Sequence, residues 1–483
     1  MTVSKKKVIT RATLVYAGEI VSKAVLFILN AIVARKLGVT GYGIYIYGIN
    51  LGLLLINFVD FGTNNFILKK LSEEREKNAE YIWKVIEFEA LVSIISFMGL
   101  YIFINNFENS QCIRNVVLIL FISIIFENLT NVFRNVLRAI GRFALDALLS
   151  ILGSFLRLGL GLALYYLTYN IYGFSAGITI STLLILFAWT YIIWSIFGGP
   201  KVVLKHHSIS LRVIFKSCIV FAIPTIIRGV YFRIDSVLVK SLVNSVEMGL
   251  YNSVTKLLFI QQFLPNGLIQ VVFPILANLY YNDDYDGANN IFNKVYIIFI
   301  VFFNFIQMVQ YISAGFIIKV VYGAEFLNAV SIYKTMVPSF VFTSLSFLLA
   351  FLFISNNKVS MLYKYYLICL IEKIILVIAL TLKYGAIGSA AAFLISEIIQ
   401  FWVLLFTSFK NNIKFKLNYL TALMAFLAVD VGIALCGRSV LLETVILISG
   451  HIIICYLFGV NLPGYFKELF MKESDKKVSL DTN

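Results

Sequence analysis

Apolar runs of about twenty residues recur along the whole chain, and they decide what it can fold into. A helix needs roughly 20 residues to cross about 30 Å of hydrocarbon. In lipid every backbone N–H and C=O must be bonded internally, which leaves helices or closed barrels. Barrel strands are about 10 residues long and alternate polar with apolar; these runs are longer and do not alternate. Of the 483 residues, 60% are hydrophobic and only 13% are charged, too little polar surface for a soluble protein of this length. The fold class predicted is all-α integral membrane, with about fourteen transmembrane helices.

Spans are predicted near 13–35, 41–67, 81–104, 115–137, 144–168, 171–197, 211–239, 247–277, 291–318, 329–354, 360–382, 386–408, 417–436 and 440–461. Lysine and arginine crowd alternate connections: Lys5 to Lys7, Lys69 to Arg75, Arg134 to Arg142, Lys201 to Lys216, Lys410 to Lys416 and Lys467 to Lys477. Basic loops stay on the cytoplasmic side, so both termini are expected inside a cell membrane and the number of spans is expected to be even. The basic segment Met1 to Arg11 runs into a long first span, which reads as a retained helix rather than a cleaved leader. No connection is long enough to fold as a separate domain.

A repeat at a spacing of about 206 to 216 residues divides the spans further. Gly43-Ile44-Tyr45 opens the second span and Gly249-Leu250-Tyr251 the eighth. Arg157 in the fifth span matches Lys373 in the eleventh, and the segment Leu137 to Arg142 matches Phe353 to Lys358. Tyr172 to Ala176 matches Ile387 to Ala391 at the start of the sixth and twelfth spans. The expected organisation is a six-helix lobe at 1–200, a second at 201–409, two additional helices at 410–463 and a cytoplasmic tail at 464–483. Six is even, so the two lobes face the same way, related by a parallel pseudo-twofold.

Charged side chains inside a bilayer cost at least about 2.5–3.5 kcal/mol each and usually face a protein interior or water. The cations Lys23, Arg157, Arg228, Arg233 and Lys373 outnumber what their neighbours neutralise. Arg157 shares a helical face with Gly153, Ser154 and Gly161, small residues that admit a close helix or leave a cavity. Together the five suit an anionic headgroup such as a phosphate or pyrophosphate, which Arg can grip with two donors. The alternative for each is an ion pair that fixes packing, or a long side chain reaching the interface. Glu19 lies four residues before Lys23, a favourable helical pair. Glu19, Asp60, Asp235 and Glu397 are the candidates for carrying a coupling cation, a proton or sodium. Pro224, Pro265, Pro274 and Pro338 each remove a helix hydrogen bond and permit a kink.

Other chemistries are excluded by their missing residues. The net charge of +15 sits in short loops beside anionic headgroups, so nucleic acid is not an expected partner. Cys112, Cys218, Cys369, Cys436 and Cys455 have no CxxC spacing, and the His206-His207 pair has no third ligand nearby, so no metal site is predicted. Glycine-rich nucleotide fingerprints are absent, and no cofactor is expected. Tyr165, Tyr166, Tyr169 and Tyr172 read as an interfacial belt, with stacking on sugars as the alternative.

Three motifs carry a family resemblance. Arg35-Lys36-Leu37-Gly38-Val39-Thr40-Gly41-Tyr42-Gly43-Ile44-Tyr45 resembles the first signature of the Wzx-type polysaccharide-biosynthesis flippases, with Val39-Thr40 where that family has proline. Asp60-Phe61-Gly62 resembles their D-x-G, and Tyr231 to Asp235 followed by Glu247 to Asn252 resembles their "yRiD…evGiYn" stretch. The family belongs to the multidrug/oligosaccharidyl-lipid/polysaccharide exporter superfamily, and the resemblance covers about residues 10–410. It implies flipping of a lipid-linked oligosaccharide by alternating access between two six-helix lobes with a cationic central cavity, in contact with membrane lipids and without enzymatic activity. It carries Arg233 and Asp235 over as the family's motif arginine and aspartate. Three alternatives stand beside it: a cation-coupled drug antiporter of the same superfamily, a membrane glycosyltransferase or polymerase, and a non-transporting assembly partner.

Overall fold

The computed structural model describes residues 5–73, 78–197, 210–355, 359–410, 423–428, 430 and 440–457. Among the described residues every regular element is helical. The first eight helices are α1 (Lys5–Asp60), α2 (Thr63–Glu73), α3 (Asn78–Phe107), α4 (Gln111–Ala139), α5 (Phe143–Thr168), α6 (Ile171–Phe197), α7 (Leu211–Tyr231) and α8 (Ile234–Leu242). The rest are α9 (Ser245–Gln261), α10 (Phe263–Tyr281), α11 (Tyr285–Ile312), α12 (Ala314–Tyr322), α13 (Ala329–Met336), α14 (Ser339–Ser355), α15 (Val359–Lys410) and α16 (Val440–Leu457). Most of the predicted thirteenth span, the His206-His207 pair and the tail from 464 lie outside the described residues.

Six of these stretches are long and apolar enough to cross a membrane, and nine when three bent pairs each count as one. Their outward faces are apolar: Ile94, Ile95, Met98 and Ile102 on α3 are each more than half exposed. That is the reverse of a soluble helix, and it identifies an integral membrane protein whose lipid-facing side chains need no cover. Two of the longest helices are broken by a glycine in the left-handed region, α1 at Gly38 (φ 66°) and α15 at Gly385 (φ 63°). These breaks separate the first predicted span from the second, and the eleventh from the twelfth.

The chain forms two compact units, Met1–Lys256 and Leu257–Asn483. In the first, α4 is the central helix, with 56% of its apolar window buried. It packs against α1, α2, α3 and α6, while α5 lies against α1 and α6. In the second, α11 is central, 61% buried, with α10, α14 and α16 around it and α15 against α13 and α14.

Three predicted spans are bent rather than straight: by 60° between Ile219 and Phe221, by 42° between Ile269 and Val271, and by 40° between Met336 and Ser339. Each bend falls within about one turn of a proline, Pro224, Pro274 or Pro338, whose missing N–H leaves a carbonyl on the preceding turn unbonded. Pro265 lies in the first turn of α10, where no such bond is required. The second and seventh spans also stop early. The second ends at Asp60, whose Oδ1 accepts from the Asn64 backbone N–H (3.1 Å) and so caps α2. The seventh divides at Phe232 and Arg233, so Arg228 and Asp235 do not share one continuous helical face.

The two repeat glycines, Gly43 on α1 and Gly249 on α9, meet backbone to backbone. A Cβ at Gly43 would lie 1.8 Å from the carbonyl oxygen of Ser245, four residues before Gly249. A Cβ at Gly249 would lie 2.3 Å from the carbonyl oxygen of Val39, four residues before Gly43.

Candidate functional site

Within the first unit a polar cleft of about 340 Å³ opens between α1, α4, α5 and α6. Small residues on α5 make room for it: Gly153 and Ser154 are buried on the face that carries Arg157, and the Ser154 hydroxyl turns back to the carbonyl of Ser150 (2.9 Å). Lys23, Arg134 and Arg157 line the cleft, with Glu19 and Glu127 between them, so the walls carry one net positive charge.

Arg157 is the centre of this arrangement. Its Nη1 donates to Glu127 Oε1 at 3.0 Å, and its Nε is buried with no hydrogen-bond partner. Beside it stands a denser ion network. Asp146, buried in the first turn of α5, accepts from Arg134 Nε (3.1 Å) and Arg138 Nε (2.6 Å). Arg138 Nη2 then reaches Glu19 at 2.7 Å. Glu19 therefore bonds a guanidinium from α4, not Lys23 on its own helix; the guanidinium fork serves two carboxylates at once where an ammonium is a point charge. Two further cations of the first unit, Arg233 and the half-buried Lys256 of α9, lie outside the lining of the cleft.

The remaining predicted residues have separate surroundings. Lys23 is exposed at the mouth. Arg228 is exposed, its guanidinium 5.9 Å from the centre of the Phe232 ring. Arg233 donates to Asn50 Oδ1 (3.3 Å), and Asn50 Nδ2 donates to Asn252 Oδ1 (2.7 Å). Asp235 is buried and accepts from the Tyr251 hydroxyl at 2.8 Å. Residues of the "RiD…GiYn" stretch thus tie α8 and α9 to α1. Lys373 and Glu397 belong to the second unit, where Lys373 Nζ lies 4.7 Å from the centre of the Phe393 ring and Glu397 accepts from Thr343 Oγ1 (2.8 Å).

Asp60 has a partner that sequence reasoning missed. Thr63 Oγ1 lies within hydrogen-bond reach of both Asp60 (3.0 Å) and the fully buried Glu89 of α3. Glu89 also accepts from Asn128 Nδ2 at 2.8 Å. No lysine or arginine among the described residues bonds either carboxylate. Glu127, Glu89, Lys256 and Asp430 carried the same signal as the predicted residues, a charge inside an apolar run. The Arg134–Arg138–Asp146 set was readable as two arginines four apart before the turn at Gly141 and an aspartate just after it. Among the described residues no group of three or more His, Cys, Asp or Glu is placed to hold a metal ion.

The family model described as polysaccharide biosynthesis protein matches residues 9–280, more than half of the chain. The chain belongs to that family. Its long apolar helices make it an integral membrane protein of that family. Among solved structures it is similar to a lipid II flippase, MurJ, in an inward closed conformation, at 20% identity over 92% of this chain and 98% of that one, with a TM-score of 0.72. It is also similar to an inward-facing MATE multidrug resistance transporter, at 13% identity over 80% of this chain and 94% of that one, TM-score 0.62. A third is a transporter of the superfamily from Pyrococcus furiosus, described as having a binding pocket of reversed polarity, at 13% identity over 83% and 95%, TM-score 0.61. At these identities the likeness establishes a shared fold. No curated protein matches the sequence.

Proposed function

We propose that this protein translocates a polyprenyl-(pyro)phosphate-linked saccharide across the cell membrane by alternating access, with Arg157 and Lys23 as early contacts of the phosphate headgroup. The observation that carries this reading is the buried Arg157 Nε, which has no acceptor although it belongs to a residue lining a polar cleft. An unbonded charged donor is costly in such surroundings, and a phosphate oxygen supplies an acceptor of the right charge. Family membership and the fold shared with a lipid II flippase support the same conclusion.

In this reading the chain comprises two six-helix lobes and two further helices, with both termini in the cytoplasm. The reciprocal contact of Gly43 and Gly249 supports the repeat, because a twofold pairs residue i with j and j with i. Of the four carboxylates proposed for a coupling cation, Asp60 is favoured by its pairing with Glu89 among neutral donors only.

The test is translocation of a fluorescent polyprenyl-diphosphate sugar in proteoliposomes. The double variant Lys23→Ala/Arg157→Ala should lose at least about tenfold in rate while reconstituting normally, the loss expected for charge-assisted contacts. Full activity in that variant would sink the headgroup assignment. The pairing of Asp60 with the buried Glu89 favours one second reading, a cation-coupled drug antiporter. Proton-driven uptake of a cationic dye by the same vesicles, with no movement of the lipid substrate, would establish that reading instead.

A further inference from the structure

We infer that Glu127 is a resident competitor for the anionic headgroup, an internal stand-in that neutralises Arg157 while the cleft is empty and yields to a diphosphate. This rests on the reading of Arg157 as a headgroup contact given above.

The argument starts from how the carboxylates around the cleft are held. Asp146 is buried and bonded by two guanidinium groups, and Glu19 by a third donor from Arg138. Those two acids are held in place, and of the two Glu19 lines the cleft. Glu127 differs: its one ion pair is to Arg157, and its side chain is 41% exposed against 15% for Arg157. A carboxylate half open to water gives up its partner at low cost, because water replaces the bond. The guanidinium is the less exposed partner of the two and keeps its place in the wall.

The occupancy of the guanidinium is also incomplete. Glu127 takes Nη1 and leaves Nε without an acceptor. A carboxylate tied to its own helix α4 satisfies one end of the group, whereas a diphosphate has oxygens enough for both. The empty cleft therefore avoids an unneutralised charge inside the membrane, and the filled cleft satisfies the guanidinium more fully. Competition from the tethered carboxylate sets a limit on affinity that allows the headgroup to leave.

The experiment is equilibrium binding of farnesyl diphosphate to the purified full-length protein in detergent micelles, with inorganic pyrophosphate in parallel. Glu127→Gln keeps the volume and removes the competing charge; it should bind farnesyl diphosphate about tenfold more tightly, the scale of one charged contact discounted for exposure. Glu127→Ala should shift in the same direction. Arg157→Gln should bind about tenfold more weakly, and adding Glu127→Gln to it should change affinity by much less than it does in the parent, because the competitor acts mainly through Arg157. In proteoliposomes Glu127→Gln should lower the apparent KM and also the maximal rate, as tighter binding slows release.

If Arg157→Gln weakens binding while both Glu127 variants bind equally or more weakly than the parent, Glu127 positions the guanidinium and the competitor inference fails alone. If Arg157→Gln leaves affinity unchanged, the headgroup assignment itself fails. Equal affinity for pyrophosphate and farnesyl diphosphate would assign the cleft to a free phosphate anion and overturn the lipid-linked ligand. Each variant is compared at the same elution volume, so that misfolding is not read as lost binding.

Discussion

Substituting alanine for Gly43 tests how closely α1 and α9 are packed. The added Cβ would sit 1.8 Å from the Ser245 carbonyl oxygen, where the closest ordinary carbon–oxygen approach is about 3.3 Å. The obstacle is backbone, so the helices must part by about 1.5 Å locally rather than let a side chain swing aside. Overpacking of this kind costs about 1–3 kcal/mol, and contact with a carbonyl places Gly43 near the upper end. Alanine returns up to about 1 kcal/mol in helix propensity, leaving a net loss near 2 kcal/mol. At Gly249 the clash is milder, 2.3 Å from the Val39 carbonyl, and the net loss should be about 1 kcal/mol. The two sites share one separation of the helices, so the double variant should fall short of the summed loss by at least about 0.5 kcal/mol. Reversible unfolding in mixed micelles, followed by tryptophan fluorescence, measures all three. A neutral Gly43→Ala, or strict additivity in the double variant, would refute the close contact.

Asp146→Ala should destabilise by about 3 kcal/mol in the same assay, the low end for breaking a buried ion pair, because Glu19 still holds Arg138; a loss below about 1 kcal/mol would show that the network contributes little. Glu89→Gln keeps the volume and acceptor oxygen and removes a buried charge, so stability should hold or rise. Glu89→Ala should lose about 1–3 kcal/mol by leaving Asn128 and Thr63 without an acceptor. A greater loss for Gln than for Ala would mean that Glu89 is held as an anion by a partner.

Helix identity and many of the breaks were legible because they rest on local features. Apolar length set the helices. Gly38 supplies the left-handed residue between the first two spans, and prolines 224, 274 and 338 lie beside the three bends. The stop at Asp60 was present in the sequence as Asp-x-Gly, but its meaning needs the Asn64 N–H that the carboxylate caps. Partner choice was not legible. Lys23 is one turn from Glu19 along α1, yet Arg138 wins, because helix packing brings a guanidinium across from α4. Period and spacing describe one helix at a time, and such pairings lie more than a hundred residues apart. The motif aspartate Asp235 shows the same limit: its Tyr251 partner sits in the adjacent motif, and only the turn between α8 and α9 joins them.

Acids in the first unit include two kinds that differ in their partners, and in the proposed reading the difference bears on how transport is driven. Asp146, Glu19 and Glu127 each have a guanidinium, so their charge is balanced from within the protein. Asp60 and Glu89 have two asparagine side chains (Asn64 and Asn128), a backbone N–H and one threonine hydroxyl. That hydroxyl has a single hydrogen to donate and two carboxyl oxygens in reach. One of the two carboxyl groups is therefore left without that donor, and a proton or cation brought from outside would fill the gap. An acid balanced by arginine gains little from a proton, whereas this pair has room for one. In the proposed reading the two kinds of acid suit two tasks, competing with an anionic headgroup for arginine in the cleft and taking up a coupling cation at the end of α1, and substitutions at Glu127 and Glu89 address them one at a time.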